Sequence, residues 1–264
     1  MLRGNFIGLS LAGCLIILLT TLSSLLPPPQ MEGTVYYYNE NGKLLFDSSA
    51  TVSKTYVIRT QKKRDSIYTW GERFTGAGVA NVKWIHEDLA EEVEYLIETK
   101  QLDHWKVKAN IVEIVPVDIL RKMRTIIQDN GNGGFDSINN KEYGGLLRPD
   151  GSFIMTASGK FFDLCDTSQH KRTVALRSRG VAEFHSHPSG CSGDLPVYPC
   201  TGPPEVLSWK PCMHGQGPSR VDQDSVEKRR GYVFGMRAKI IFIYDSTGIL
   251  ATLPFSFFMD NWNR

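Results

Sequence analysis

The chain has 264 residues, enough for one or two globular domains with a substantial core. A formal net charge of +2 excludes the broad basic footprint of a nucleic-acid binder. The basic triplets Lys62-Lys63-Arg64 and Lys228-Arg229-Arg230 are too short to change this and read as solvated faces.

From Phe6 to Leu26 the chain carries no charge and is dominated by Leu, Ile, Ala, Gly and small hydroxyl residues. As a helix this run is about 30 Å long, the thickness of a bilayer core. Arg3 and the amino terminus precede it, and Lys43 is the first cation after it, which favours a cytoplasmic N-terminus and an exported body. The run ends in Leu25-Leu26-Pro27-Pro28-Pro29, a poor context for signal cleavage. Leu11-Ala12-Gly13-Cys14 resembles a lipoprotein box, but apolar residues continue past Cys14. The expectation is a single-pass anchor over residues 6–26, with secretion after cleavage as the alternative. Beyond it lie Cys165, Cys191, Cys200 and Cys212, an even number that permits disulfides in an oxidising compartment, with three pairings open.

Residues 1–30 therefore read as anchor and stiff Pro-rich spacer, and 31–107 as a small α+β module. In that module, two β-rich runs flank Asn41-Gly42, a strong hairpin signal. A strand is predicted around Thr55–Thr60. A helix follows, with Ile85, Leu89, Val93, Leu96 and Ile97 on one face and His86 off it as surface decoration. His104 and His170 read as surface residues.

A second unit is predicted over residues 108–264. It opens with a strand at Ile111–Val115 and a helix started by Pro116, striped by Ile119, Leu120, Met123, Ile126 and Ile127. Asn130 to Gly134 is a breaker. Two strands then flank the turn Arg148-Pro149-Asp150-Gly151. More strand lies in "TVALRSRGVAEFHSH", a helix candidate at about Asp222–Arg230, and a last hairpin around Asp245–Gly248.

The chain holds six histidines, and "EFHSHPSG" sets two of them one residue apart at the end of a predicted strand. Alternation puts Val181, Glu183, His185 and His187 on one face. Bases about 6–7 Å apart let both rings converge on one cation at ~2.0–2.1 Å. Further on, Ser219 and Asp222 have the spacing of a capping box at a helix start. The same spacing serves a third metal ligand, Asp222, with Ser219 facing the site. Two His and a carboxylate with an open fourth position suit a catalytic zinc. Glu142, before a strand, is either a solvated end residue or the group that moves a proton for a metal-activated water.

Taken together, Glu142-x-x-Gly145-Leu146-Leu147, His185-Ser186-His187-Pro188 and Ser219-x-x-Asp222 resemble the signature of the JAMM (MPN-domain) metalloproteases. The resemblance covers roughly residues 108 to 258. It implies an α+β, cytidine-deaminase-like mixed sheet flanked by helices. It also implies zinc on His185, His187 and Asp222, Glu142 as general base and acid, and Ser219 as hydrogen-bond donor to the oxyanion. The activity implied is hydrolysis of a peptide or isopeptide bond in a protein or peptide substrate. The alternative is a non-catalytic, membrane-anchored interaction module of the same fold.

Three features depart from the family pattern. Thirty-one residues separate His187 from Ser219, a long connection for this family; the insert, 189–217, holds Cys191, Cys200, Cys212 and His214. Disulfides are the favoured reading of those cysteines, with a second metal as the alternative. Glu183 lies on the His face and could compete with Glu142 as base or orient an imidazole. An exported body fits a bacterial secreted or toxin-like branch better than enzymes of the cytosol.

Overall fold

The computed structural model describes residues 33–68, 78–133, 137–156, 180–190 and 215–259. The apolar run 6–26, the four cysteines beyond it, His170 and His214 lie outside the described residues. Among the described residues no helix is long and apolar enough to cross a membrane.

The chain order is β1 (Gly33–Tyr38), β2 (Leu44–Ala50), β3 (Lys54–Ile58), α1 (Arg64–Ile67), α2 (Glu87–Glu98), α3 (Trp105–Asn110), β4 (Ile111–Ile114) and α4 (Val117–Ile126). A 3-10 turn at Ser137–Asn140 leads to β5 (Gly144–Leu147), β6 (Phe153–Met155), β7 (Ala182–His187) and α5 (Arg220–Ser225). Then come β8 (Arg230–Gly235), β9 (Ile240–Asp245), β10 (Gly248–Pro254) and α6 (Ser256–Met259). The described fold is α+β, with two mixed sheets of four and six strands, ordered β2-β1-β3-β4 and β10-β9-β8-β7-β5-β6.

Local chemistry accounts for the hairpins. Asn39 accepts the backbone N–H groups of Asn41 and Lys43 on its side-chain oxygen, and Gly42 takes φ +80 to close the β1–β2 turn. Gly151 does the same at the β5–β6 turn. Helix α2 buries Ala90, Val93, Leu96 and Ile97 against the first sheet, as its periodicity predicts. His86 and His104 are more than surface decoration. Each is an N-cap whose ring accepts a backbone N–H, from Asp88 and Lys106 respectively.

Two elements differ from expectation. The helix predicted at Asp222–Arg230 runs instead from Arg220 to Ser225, because Ser219 caps it early and Glu227 turns out of it at φ +53. The residues after it form β8, whose Gly-Tyr-Val-Phe-Gly run is buried on both faces and so lacks the alternation of a surface strand. The strand at Ile111–Ile114, expected to open the second unit, pairs antiparallel with β3 in the first sheet.

One cluster joins the two sheets across residue 107: Val57, Val112 and Ile114 pack with Leu120, Met123, Phe184, Tyr232, Phe234 and Leu253. Each such side chain contributes roughly 1.5–3 kcal/mol by leaving water. The Tyr232 hydroxyl accepts the Val115 N–H at 2.9 Å, a polar tie inside this cluster.

Strand β7 sets the functional end of the larger sheet. It pairs antiparallel with β5 (Gly144 opposite His185) and parallel with β8 (His187 opposite Gly235). At Gly144 the strands approach closely. A Cβ there would lie 2.4 Å from the Phe184 carbonyl oxygen and 2.9 Å from the His185 Cβ. Gly144→Ala is therefore expected to push β5 off β7 and to destabilise the fold by about 1–3 kcal/mol. Urea unfolding checks this, and wild-type stability in the variant would contradict the register.

Candidate functional site

The burial of β7 alternates. Ala182, Phe184 and Ser186 point into the core, while Glu183, His185 and His187 share the half-buried face. Ser186, the residue between the two histidines, is fully buried. Its backbone N–H donates to the Tyr143 carbonyl at 2.8 Å, and its hydroxyl accepts the Tyr143 N–H at 3.0 Å. This pair of bonds extends the β5–β7 ladder by one step, so Glu142, two residues before β5, lies near the His-x-His end, where its charge acts on His185.

Helix α5 brings the third group. Its capping box is complete: Ser219 Oγ accepts the Asp222 N–H at 3.2 Å, and Asp222 Oδ2 accepts the Ser219 N–H at 2.7 Å. A good N-cap stabilises by about 1 kcal/mol. Ser219 Oγ also donates to Asp222 Oδ2 at 2.7 Å. The helix start is held from outside by two hydrogen bonds on the Pro218 carbonyl, from the Tyr68 hydroxyl at 2.5 Å and the Ala80 N–H at 3.2 Å. Gln223, itself buried, accepts the Asn81 N–H and donates to the Ser246 carbonyl.

The capping box of Ser219-x-x-Asp222 is thus present, and the capping aspartate also faces the histidines. His185 Nε2 and His187 Nε2 are 3.3 Å apart. Asp222 Oδ1 lies 3.5 Å from the first and Oδ2 3.7 Å from the second. Among the described residues these three form the group able to hold a metal ion. Ligands at 2.0–2.1 Å on a tetrahedral cation stand about 3.3 Å from one another. The donor set and its spacing therefore suit a small metal cation.

The charges are strongly coupled. Burial pulls the His185 pKa down, but the Asp222 carboxylate outweighs it, with Glu142 and Glu183 adding, and holds the ring at about 9. Burial alone would raise the Asp222 carboxyl, yet the two imidazoles hold it well below the usual carboxylate range. Each group thus favours the charged form of the other.

Glu183 is engaged elsewhere. Its carboxylate accepts the Tyr244 hydroxyl at 3.1 Å and pairs with Arg229 at 3.3 Å. Burial raises its pKa, opposed by His185, Arg229 and Tyr244. Arg229, read in sequence as part of a solvated triplet, is in fact largely covered in this pair.

Sequence reasoning passed over a second set of residues. Asp129, Asn139, Gln216 and Arg237 surround the turn Pro188-Ser189-Gly190 that leaves the His-x-His strand. Asp129 lies just before the Gly/Asn breaker and Arg237 between β8 and β9, and neither has a spacing that points here. No family model matches the chain, and no curated protein or solved structure matches it either.

The His185–Asp222 pair makes the stability of metal-free protein pH-dependent. A raised imidazole contributes fully below its ordinary value of 6.5, and the contribution is lost as pH rises through about 9. The melting temperature of chelator-treated protein should fall across that window, and His185→Gln should flatten the slope. An equally steep slope in the variant would show that another group is responsible.

Proposed function

We propose that the chain is a zinc-dependent hydrolase that cleaves a peptide or isopeptide bond with an activated water, in the manner of the JAMM (MPN-domain) metalloproteases. One observation carries the reading: two imidazoles of β7 and a carboxylate from the distant helix α5 come close enough to share one metal ion. Zinc on His185, His187 and Asp222 would supply Lewis acidity and lower the pKa of a water in its fourth position toward 7.

The remaining work falls to the chain. Glu142, just before β5 and near enough for its charge to act on His185, takes the proton of the attacking water and returns it to the leaving amine. Glu183 is the weaker candidate because Tyr244 and Arg229 already occupy its carboxylate. Ser219 has one proton, directed at Asp222. Donation to the oxyanion requires that hydroxyl to turn toward substrate; where it stays on Asp222, it fixes the direction of the carboxylate instead.

The six-stranded mixed sheet, with the His-x-His strand inside it and the Ser-x-x-Asp helix over its end, supports a JAMM/MPN-like, cytidine-deaminase-like fold. The uncharged run 6–26 supports a membrane-anchored enzyme whose body, with a disulfide-bearing insert, acts on protein or peptide outside the cytoplasm.

The purified chain, prepared without chelators, is expected to carry one zinc by elemental analysis, and His187→Ala to lose it. Glu142→Gln should keep the metal yet cleave a peptide library about 10²–10⁴-fold more slowly. Full activity in Glu142→Gln would remove the assigned base. Absence of zinc from the wild-type chain would favour the non-catalytic interaction module.

A further inference from the structure

A histidine that binds a metal through Nε2 ordinarily donates its Nδ1–H to a carboxylate or carbonyl, and that bond aims the ring. His187 breaks this pattern. Its Nδ1 is buried and has no hydrogen-bond partner among the described residues. On the Nδ1 side, among the described residues, the backbone that carries the ring is what remains to direct it.

That backbone is gripped on its far side. Asp129, wholly buried, accepts the Ser189 N–H on Oδ2 at 2.7 Å and the Ser189 hydroxyl on Oδ1 at 2.6 Å. The same Oδ1 accepts the Gly131 N–H at 2.8 Å, which locks the carboxylate to its own loop. Arg237 donates to the Ser189 and Gly190 carbonyls at 3.0 and 2.9 Å. Gln216 donates to the Pro188 carbonyl at 3.1 Å, and the Met236 N–H donates to the His187 carbonyl at 3.1 Å. The polar backbone of residues 187–190 is thus tied at nearly every step, and Asp129 is the buried charge at the centre of the ties.

We infer that Asp129 is a positioning residue for the metal centre: by clamping the turn at Ser189 it aims the His187 imidazole, replacing the missing bond to Nδ1. The inference rests on the zinc reading for its purpose but not for its geometry. Buried charge-assisted hydrogen bonds are strong, and leaving their donors unmet is costly. A clamp made of them resists rotation of the turn better than the packing of a Pro-Ser-Gly loop would.

The test compares Asp129→Asn with Ile243→Val, a core trim in β9 that touches neither the turn nor the ligands, in the full-length protein. Zinc affinity is read by competition with a chromophoric chelator. Asp129→Asn should bind zinc about 10-fold more weakly, the low end of the effect of losing a group that bonds a ligand directly, while Ile243→Val binds as wild type. In metal-free protein, long-range ¹H–¹⁵N spectra should show the His187 ring signals displaced in Asp129→Asn more than those of His185, and undisturbed in Ile243→Val. If Asp129→Asn fails to fold, Ser189→Ala removes the hydroxyl half of the clamp and should move both readouts the same way by less. Unchanged His187 signals overturn the inference whether or not the wild type binds zinc. Zinc bound by wild type and Asp129→Asn alike overturns it while sparing the hydrolase reading. A wild type without zinc refutes that reading and leaves the ring signals to decide this one.

Discussion

A carboxylate and two imidazoles meet at the end of β7 with little solvent around them, and each is tolerable there only because of the others. Burial alone would protonate Asp222 and deprotonate His185; their proximity reverses both tendencies. The pair holds its proton firmly, so a cation entering the site would have to displace it, and its binding would weaken as pH falls. Everything else described for the larger sheet bears on holding these three groups together.

The holding is done by ordinary secondary structure. β7 lies between β5 and β8, and its registers with both fix how far His185 and His187 protrude. The absence of a side chain at Gly144 lets β5 approach closely enough for Tyr143 to bond Ser186 on both backbone and side chain. Helix α5 is short, with little stability of its own, so its position comes from Tyr68, Ala80 and Gln223. Rigid elements set the direction of each ligand, and buried polar side chains pin the places where those elements end.

That division explains why so many polar residues are buried near one end of the sheet. Asp129, Ser189, Gln216, Asp222 and Gln223 are all buried, and each bonds backbone in a turn or cap rather than in a ladder. The backbone of such turns cannot satisfy itself, so side chains must. Glu183 and Arg229 add a compensated pair on the histidine face and leave the local charge less negative than a third free carboxylate would.

The sequence by itself determined the local elements. Asn41-Gly42, the apolar stripes of α2 and α4, the alternation through His187 and the capping box at Ser219 each follow from contacts between residues a few positions apart. It also nominated His185, His187, Asp222 and Glu142, because paired histidines and a spaced acid are rare enough to stand out. Tertiary structure alone decided the rest. It placed β4 in the first sheet rather than at the head of the second unit and made a strand of residues 230–235, since pairing is settled by partners far away in the chain. It turned Arg229 inward and set Asp129 under Ser189, sixty residues apart. A charged side chain's partner depends on which surfaces meet when the sheets pack, and no spacing along the chain encodes that meeting.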